Sequence, residues 1–294
     1  MLDLIPILAP VLLTAGLGFA WAQSGRVFET EFVTRIATYI GVPALAFSVL
    51  TEVRLSPEAL VRTVGLAVAA VTLFAIIGTV VLRLMRQPVR SMLPALMMPN
   101  TGNMGLPIVF FAFGERGLSL AIAFTVVIMM LHHTVGAAMA SGQTNAIAIV
   151  RQPVIYALIA ALAFVLTDTA VPAFLANWTG LLGGLTIPLM LLALGVSLAK
   201  LTVTDLPRSA VLGLVRVGAG FAVGLGLALA FNLPTLAAGV LIIQCSMPTA
   251  VFSYLYAARY GGPSVQIAGV VVLSTVVSFA ALPFILPYVL SLSG

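Results

Sequence analysis

The chain has 294 residues, of which 62% are hydrophobic and only 7% are charged. A soluble domain carries about 25% charged residues, so a chain of this length with so few charges is expected to have lipid as the solvent for most of its surface. The net charge of +5 rests on few residues, and no basic run with interleaved aromatics occurs, which excludes the usual pattern of a nucleic-acid-binding protein.

Apolar runs of about 20 residues predict an all-α membrane protein with ten transmembrane helices. The predicted spans are 4–22, 31–51, 57–82, 91–113, 117–140, 152–168, 173–199, 207–231, 235–258 and 264–289. The connections are short, and no soluble domain fits between two spans. No metal-ligand cluster, nucleophile–base pair or phosphate-binding glycine loop occurs, so we expect no metal, no cofactor and no enzyme activity.

The two halves of the chain resemble each other. Pro43 in the second span matches Pro188 in the seventh, and Pro99 in the fourth matches Pro248 in the ninth. Since each half has five spans, an odd number, the second half must enter the membrane from the opposite side, which gives two inverted five-helix repeats. The predicted units are a first repeat at 1–140, a central loop at 141–151 and a second repeat at 152–294.

The fourth span contains a segment that no continuous helix tolerates well. Pro99 removes a backbone donor and disfavours helix in the residue before it, and Pro107 suits the first turn of a new helix. Gly102, which lies between the two prolines, adds conformational freedom to the backbone. The polar residues of this break, which can cap or bind, are Asn100, Thr101 and Asn103. Broken backbone at membrane depth is tolerated only when protein or a water-filled cavity surrounds it, so the sequence predicts a discontinuous helix.

The ninth span offers a matching break around Pro248, with small polar residues beside it. The candidate site residues here are Gln244, Ser246 and Thr249. Paired discontinuous helices in corresponding halves are the best sequence indication of a transporter site. If the breaks cross at the midplane, two half-helix N-termini converge there, and their free N–H groups suit an anion such as a carboxylate.

The positions of the ionisable residues favour an anionic substrate. All eight acidic residues fall at or near the ends of predicted spans, whereas Arg216 lies well inside the eighth. Arg216 is expected either to face an anionic substrate or to hold the carbonyls of a broken helix, with snorkelling to the interface as the alternative.

His132 and His133 point about 100° apart on an α-helix and make a poor metal pair. One of them is expected to face the cavity and take a proton, and His133 is included as a site candidate, with two structural histidines as the alternative.

The distribution of Lys and Arg between the loops predicts the orientation of the chain in the membrane. With both termini outside, nine of the 13 lie in cytoplasmic loops and three in external loops, which favours N-out and C-out in a cell (inner or plasma) membrane.

Three segments resemble the auxin efflux carrier family, its bacterial members and the related plant PIN-type carriers. They are Gly41-Val42-Pro43-Ala44-Leu45, Pro99-Asn100-Thr101-Gly102-Asn103-Met104-Gly105-Leu106-Pro107 and the ninth span with Pro248. The resemblance extends over essentially the whole chain.

The resemblance implies that helices 4 and 9 cross at their prolines, with Pro99, Asn100 and Pro248 in the crossover. It places the substrate near Thr101, Asn103, Ser246 and Thr249. It further implies a scaffold of helices 1, 2, 6 and 7, a transport unit of helices 3, 4, 5, 8, 9 and 10, a homodimer, and elevator-type movement of organic anions.

The sequence departs from the plant pattern, in which an asparagine adjoins the proline in both crossovers. Here the ninth span has Met247-Pro248-Thr249, and the long central loop of many plant carriers is missing. These departures favour a small carboxylate, such as malonate or another dicarboxylate, over auxin. A carrier of small organic anions is therefore expected, and two alternatives stay open: a sodium-coupled symporter of the bile-acid transporter type, and a membrane binding or sensor protein that does not transport.

Overall fold

The computed structural model describes residues 4–53, 56–142 and 151–291. Within these ranges all regular structure is helical, apart from one isolated antiparallel bridge. Most of the predicted central loop, and Arg54 of the first external loop, lie outside the described residues. The helices, numbered in chain order, are α1 (Ile5–Gln23), α2 (Thr30–Val53), α3 (Pro57–Leu84), α4 (Val89–Met97), α5 (Thr101–Ser141), α6 (Pro153–Leu166), α7 (Ala173–Gly184), α8 (Thr186–Lys200), α9 (Leu206–Ala230), α10 (Thr235–Cys245), α11 (Val251–Arg259) and α12 (Ser264–Ser291).

Seven segments of the described chain are long and apolar enough to cross a membrane. They are α1, α2, α3, α5, α7 together with α8, α9 and α12. The outer surface suits lipid, since Leu13, Phe174 and Phe284 are each more than two-thirds exposed. Large exposed apolar side chains are unfavourable in water and ordinary in a bilayer. The structure is therefore that of an all-helical, multi-pass membrane protein.

Four of the ten predicted spans are not single long helices, and the seventh is divided between α7 and α8 at Leu185. The sixth is the 14-residue α6, and the ninth is divided between α10 and α11. The fourth is divided between α4 and the start of α5, a 41-residue segment that also contains the fifth span. Gly114 bends α5 with φ 62° and ψ −158°, a conformation that is far from helical and that glycine adopts readily. Consequently α5 consists of two arms that meet at Gly114.

Polar caps and prolines define several helix starts. The Ser56 hydroxyl accepts from the Ala59 N–H at 3.2 Å at the start of α3, and the Asp205 carboxylate accepts from the Arg208 N–H at 3.2 Å at the start of α9. Both caps are followed by proline in the first turn, where its missing N–H costs nothing.

Helix packing falls into two groups. In one, α1 packs along α8, and α2 packs against α6 and α7. In the other, α9 packs against α10 and α12, and α3 packs against α4 and α5. Small residues allow the closest approaches: a Cβ on Gly195 would lie 1.8 Å from the Ala15 carbonyl oxygen, and one on Gly18 would lie 2.2 Å from that of Leu192. Contacts of α5 with α1, α2 and α8 join the two groups.

Three π-helical turns interrupt the regular α-helices, at Ala37–Gly41 in α2 and at Thr101–Gly105 and His132–Gly136 in α5. Such turns are rare in proteins, and those that occur are often found at functional sites. The second follows the break at Pro99, and the third contains both histidines.

Candidate functional site

The two interrupted helices meet at their breaks. After α4 ends, Met98 is extended (φ −106°, ψ 101°), and Pro99 forms an antiparallel bridge with Thr249. The Asn100 N–H donates to the Pro248 carbonyl at 2.7 Å, and the Ala250 N–H donates to the Met98 carbonyl at 3.0 Å. Backbone groups that a helix would have used are thus paired between the two segments. We call this segment pair, residues 98–101 with 247–250, the crossover.

Thr249 and Ser253 donate hydrogen bonds to the end of α4, where Pro99 removes one backbone donor. The Pro94 carbonyl also keeps its helical bond from the Met98 N–H at 3.1 Å. A residue at position 99 would normally donate its N–H to the Ala95 carbonyl, but proline has none. The Thr249 hydroxyl donates to that oxygen at 2.7 Å instead, and the Ser253 hydroxyl donates to the Pro94 carbonyl at 3.2 Å. The end of α4 is therefore capped by the other half of the chain.

Side chains of α9 and α12 form hydrogen bonds with the free backbone groups at the break after α10. The Arg216 guanidinium donates through Nη2 to the Cys245 carbonyl at 2.8 Å and lies over the Phe74 ring, with Cζ 4.3 Å from its centroid. The Ser278 hydroxyl donates to the Ser246 carbonyl at 3.5 Å, and the Ser274 hydroxyl accepts from the Thr249 N–H at 3.0 Å. Arg216 is only 1% exposed, so its charge is held inside the protein and does not reach the surface.

The start of α5 leaves backbone donors free of intrahelical partners. Its first bond runs from the Gly105 N–H to the Asn100 carbonyl at 3.2 Å, so the N–H groups of residues 101–104 precede the helical ladder. The N-terminus of α11 lies on the other side of the crossover, directly after Ala250. Each helix N-terminus carries a partial positive charge, which favours an anion nearby.

Five of the eight buried polar atoms without a hydrogen-bond partner in the described chain belong to residues around the crossover. They are Asn100 Nδ2, Thr125 Oγ1, Gln244 Oε1, and Arg216 Nε and Nη1, and the other three are on Glu115, Gln152 and Thr186. The Gln244 amide donates through Nε2 to the Ala121 carbonyl at 3.4 Å, and its oxygen faces Gly105, where a Cβ would lie 2.2 Å away. Buried polar groups are normally paired, so a cluster of unpaired ones indicates room for water or a ligand.

The candidate residues differ in their exposure. Asn100, Thr101, Gln244, Ser246, Thr249 and Arg216 are buried, as are Pro99 and Pro248. Gly102 and Asn103 are partly exposed. A Cβ on Gly102 would lie 3.8 Å from the Met190 methyl group of α8 and 3.9 Å from the Thr125 methyl group, so the turn at 101–105 lies against α8. Asn103 and Gly102 are therefore the candidates of the first break that stay partly exposed in this conformation.

His133 lies apart from the crossover. Its Nδ1 is hydrogen-bonded to the Tyr256 hydroxyl of α11, and it is partly buried. Tyr256 follows Thr249 by seven residues, about two helical turns. The structure thus brings the other predicted site residues together and leaves His133 at the far end of α11.

Four polar residues of the crossover region were not predicted: Thr125, Ser253, Ser274 and Ser278. All four are at most 2% exposed. Single hydroxyl groups in apolar spans give little sequence signal, because Ser and Thr bond readily to the preceding turn of their own helix. Their position opposite the break depends on helix packing and has no local pattern.

Two cavities in the described chain lie elsewhere. One of about 600 Å³ between α2, α6 and α7 is lined by polar residues that include Glu52 and Asn177. One of about 150 Å³ between α3, α5 and α10 is largely apolar, with Arg62 in its lining. Neither is lined by a residue of the crossover.

The sequence model of a family described as membrane transport protein matches residues 4–150 and 143–286, which together are almost the whole chain. No curated protein is matched.

Proposed function

We propose, from the premise that this chain belongs to the membrane transport protein family of the auxin efflux carrier type, that it is a secondary carrier of small organic anions with its substrate site at the crossover. The proposed cargo is a small carboxylate such as malonate or another dicarboxylate. The proposed ligands are Asn100, Thr101 and Asn103 from one break and Gln244, Ser246 and Thr249 from the other. Thr125 joins them because its methyl group lies against the turn at Gly102 and its buried hydroxyl has no partner in the described chain.

The observation that carries this proposal is the positive charge enclosed at the crossover. Arg216 is buried, only its Nη2 has a hydrogen-bond partner in the described chain, and that partner is a neutral carbonyl. The N-termini of α5 and α11 add partial positive charges. A buried charge is costly unless it is paired, and a bound carboxylate would supply the missing negative charge. The unpaired Asn100 amide would donate to the same ligand.

The proposed architecture is ten membrane crossings arranged as two inverted five-helix repeats. The paired breaks support it, because Pro99 and Pro248 lie at matching places in the two halves and their segments bond to each other. The described helices give ten crossings when α4 with the first arm of α5, α7 with α8, and α10 with α11 are each counted as one. Membrane spans that are broken at their centre are a recurrent arrangement in secondary transporters.

The two packing groups support a division into a scaffold and a transport unit. The group of α1, α2, α6, α7 and α8 corresponds to the proposed scaffold, and the remaining helices, which carry the crossover, correspond to the transport unit. Alternating access by an elevator movement would slide the second group along the first. We further propose a homodimer in the cell membrane with both termini outside, as the Lys and Arg distribution favours.

A thermal-shift screen tests the proposed site. Purified protein is heated with a panel of small mono- and dicarboxylates, first as wild type and then as Asn100→Ala. Asn177→Ala, an exposed amide of the separate larger cavity, is the matched control. An acid at 100 times its Kd should stabilise the protein by about 2.7 kcal/mol. We expect a stabilising acid whose effect is lost in Asn100→Ala and kept in Asn177→Ala. Stabilisation that both variants retain would place the ligand elsewhere.

A further inference from the structure

The π-helical turn His132–Gly136 directs two neighbouring histidines toward the same helix. The His132 ring lies 5.9 Å from Phe252 and 5.5 Å from Tyr256, and the His133 ring lies 5.5 Å from Phe252 and 6.1 Å from Tyr256, centroid to centroid. On a regular α-helix, neighbours would diverge by about 100°. The wider turn is what allows both rings to pack against the same two side chains of α11.

Hydrogen bonds through Ser253 connect His132 to the end of α4, next to the crossover. Its Nε2 lies 3.3 Å from the Ser253 hydroxyl, which donates its single proton to the Pro94 carbonyl at 3.2 Å. Since that hydroxyl then accepts from His132, the proton of a neutral His132 is assigned to Nε2. The connection leads to the end of α4, where Thr249 caps the adjacent carbonyl of Ala95.

His133 holds the position from which a proton can be exchanged. It is partly exposed, whereas His132 is 3% exposed. Its Nδ1 is bonded to the Tyr256 hydroxyl, a group that can either donate or accept. When His133 is neutral, Tyr256 can donate to a bare Nδ1. When a proton is added to Nδ1, the imidazolium donates to the Tyr256 oxygen, and the contact persists with its direction reversed.

The charged groups around this pair are cations. The charged and titratable side chains that act on Tyr256 are Tyr260, Tyr39 and Arg259, and Tyr254 on α11 and Arg90 on α4 lie on adjoining elements. The acids of α2 and α5, which are Glu31, Glu52 and Glu115, act on none of His132, His133 and Tyr256, and Glu31 pairs with Arg35. Tyr288 on α12 packs against Phe221 instead. Arg90 donates to the Met139 carbonyl near the end of α5. No acid lies among these described neighbours, so the protonated pair has no resident counter-ion. A proton on one ring also disfavours a second on the adjacent ring.

We propose that His132, His133 and Tyr256 form a proton-binding site that takes up one proton, on Nδ1 of His133, together with the anionic substrate. The inference rests on the proposed function and names its coupling ion. Because the site lacks a resident negative charge, a carboxylate at the crossover favours the protonated form, and by linkage the proton favours the anion. The protonated histidine pair then carries one positive charge alongside the negative charge of the bound anion. This partial neutralisation lowers the free-energy cost of moving the anion across the bilayer.

Two histidines in the whole chain make the site directly observable. Histidine-selective isotope labelling gives two imidazole NMR signals, assigned with His132→Gln and His133→Gln. In wild type we expect the His133 signal to titrate between about pH 4 and pH 8 while that of His132 stays neutral. Tyr256→Phe should lower the His133 midpoint, because it removes the acceptor of the imidazolium N–H. Tyr260→Phe, whose ring stacks on Tyr256, is the matched control and should leave the midpoint unchanged. A His133 that stays neutral over the whole range would overturn the proposal, whether or not any acid is transported.

Proteoliposomes then test coupling. Labelled malonate uptake is measured with and without an inward proton gradient, and the ratio of the two is compared between proteins, so that a change in basal uptake cancels. We expect a ratio well above one for wild type and Tyr260→Phe, falling to one in His133→Gln. An unchanged ratio in His133→Gln would contradict coupling at this site. If neither malonate nor the other carboxylates cross even in wild type, the proposed function fails, and the NMR titration alone decides the proton site.

Discussion

At the scale of single residues, the crossover depends on side chains that replace missing backbone donors. Thr249 illustrates this, since it is fully buried and its hydroxyl binds the carbonyl of Ala95, 154 positions away in the sequence. Arg216 does the same for the Cys245 carbonyl. Unpaired buried carbonyls cost free energy, so these two residues stabilise the break while leaving other donors free for a ligand.

Thr249→Val tests that role. The variant keeps the shape of the side chain and leaves the Ala95 carbonyl without its donor, so we expect a loss of about 1–3 kcal/mol in stability, seen as a lower Tm in detergent. Thr275→Val is the matched control: its buried hydroxyl binds the Val271 carbonyl of its own helix, where the ordinary helical bond remains. Equal Tm losses in the two variants would show that Thr249 has no special capping role.

Sequence reasoning located the breaks but not their partners. Pro99 and Pro248 interrupt helices for reasons that are local to the chain, and the structure has both interruptions there. The pairing of Thr249 with Ala95 and of Ser253 with Pro94 arises only when distant helices approach. The common orientation of the two histidines was missed for a different reason. Regular α-helical geometry predicts that the two side chains diverge, and no local sequence pattern indicates the π-helical turn that the structure has at His132–Gly136.

At the scale of helices, close approach of α9 to α10 holds Arg216 in place. Gly220, one turn after Arg216, faces the same carbonyl, and a Cβ there would lie 2.2 Å from the Cys245 oxygen. The arginine therefore reaches the break because its helix lies nearly in backbone contact with α10. Small residues serve this purpose commonly in membrane helix pairs.

Gly220→Ala and Gly218→Ala form a matched pair within α9. A methyl group at 220 would collide with backbone and push α9 away, so we expect a large Tm loss and weaker ligand stabilisation. A Cβ on Gly218 would meet no atom within 4 Å, and alanine is the better helix former by up to about 1 kcal/mol, so that variant should be neutral or stabilised. If Gly220→Ala keeps the wild-type Tm, the two helices are not in the close contact described.

At the scale of the whole molecule, the proposed topology has a consequence for the termini. Five crossings in each half place the N- and C-termini on the same side, and the positive residues assign that side to the exterior. The family match over almost the whole chain supports a membrane carrier but is silent on orientation. Apolar runs predict an all-helical, multi-pass membrane protein, which the structure has, while the ten crossings stay a prediction. The individual hydrogen bonds between the halves could not be predicted, because they depend on how distant helices pack.

Labelling with a membrane-impermeant maleimide tests the orientation. Cys245, the only cysteine and a buried one, is replaced by serine, and single cysteines are introduced at either terminus or at Ser24 in the α1–α2 turn. In intact cells we expect both terminal cysteines to be labelled and the one at position 24 to be protected. Protection of the termini with labelling at position 24 would reverse the topology.

Counterflow in proteoliposomes tests whether the protein moves small organic anions through the crossover. Vesicles loaded with unlabelled carboxylate are given a trace of the same labelled acid, across a panel that includes malonate, succinate and malate. We expect wild type and Asn177→Ala to accumulate label for at least one acid, and Asn100→Ala to accumulate none. No accumulation of any acid by the wild-type protein, or equal accumulation by Asn100→Ala, would contradict transport through the crossover.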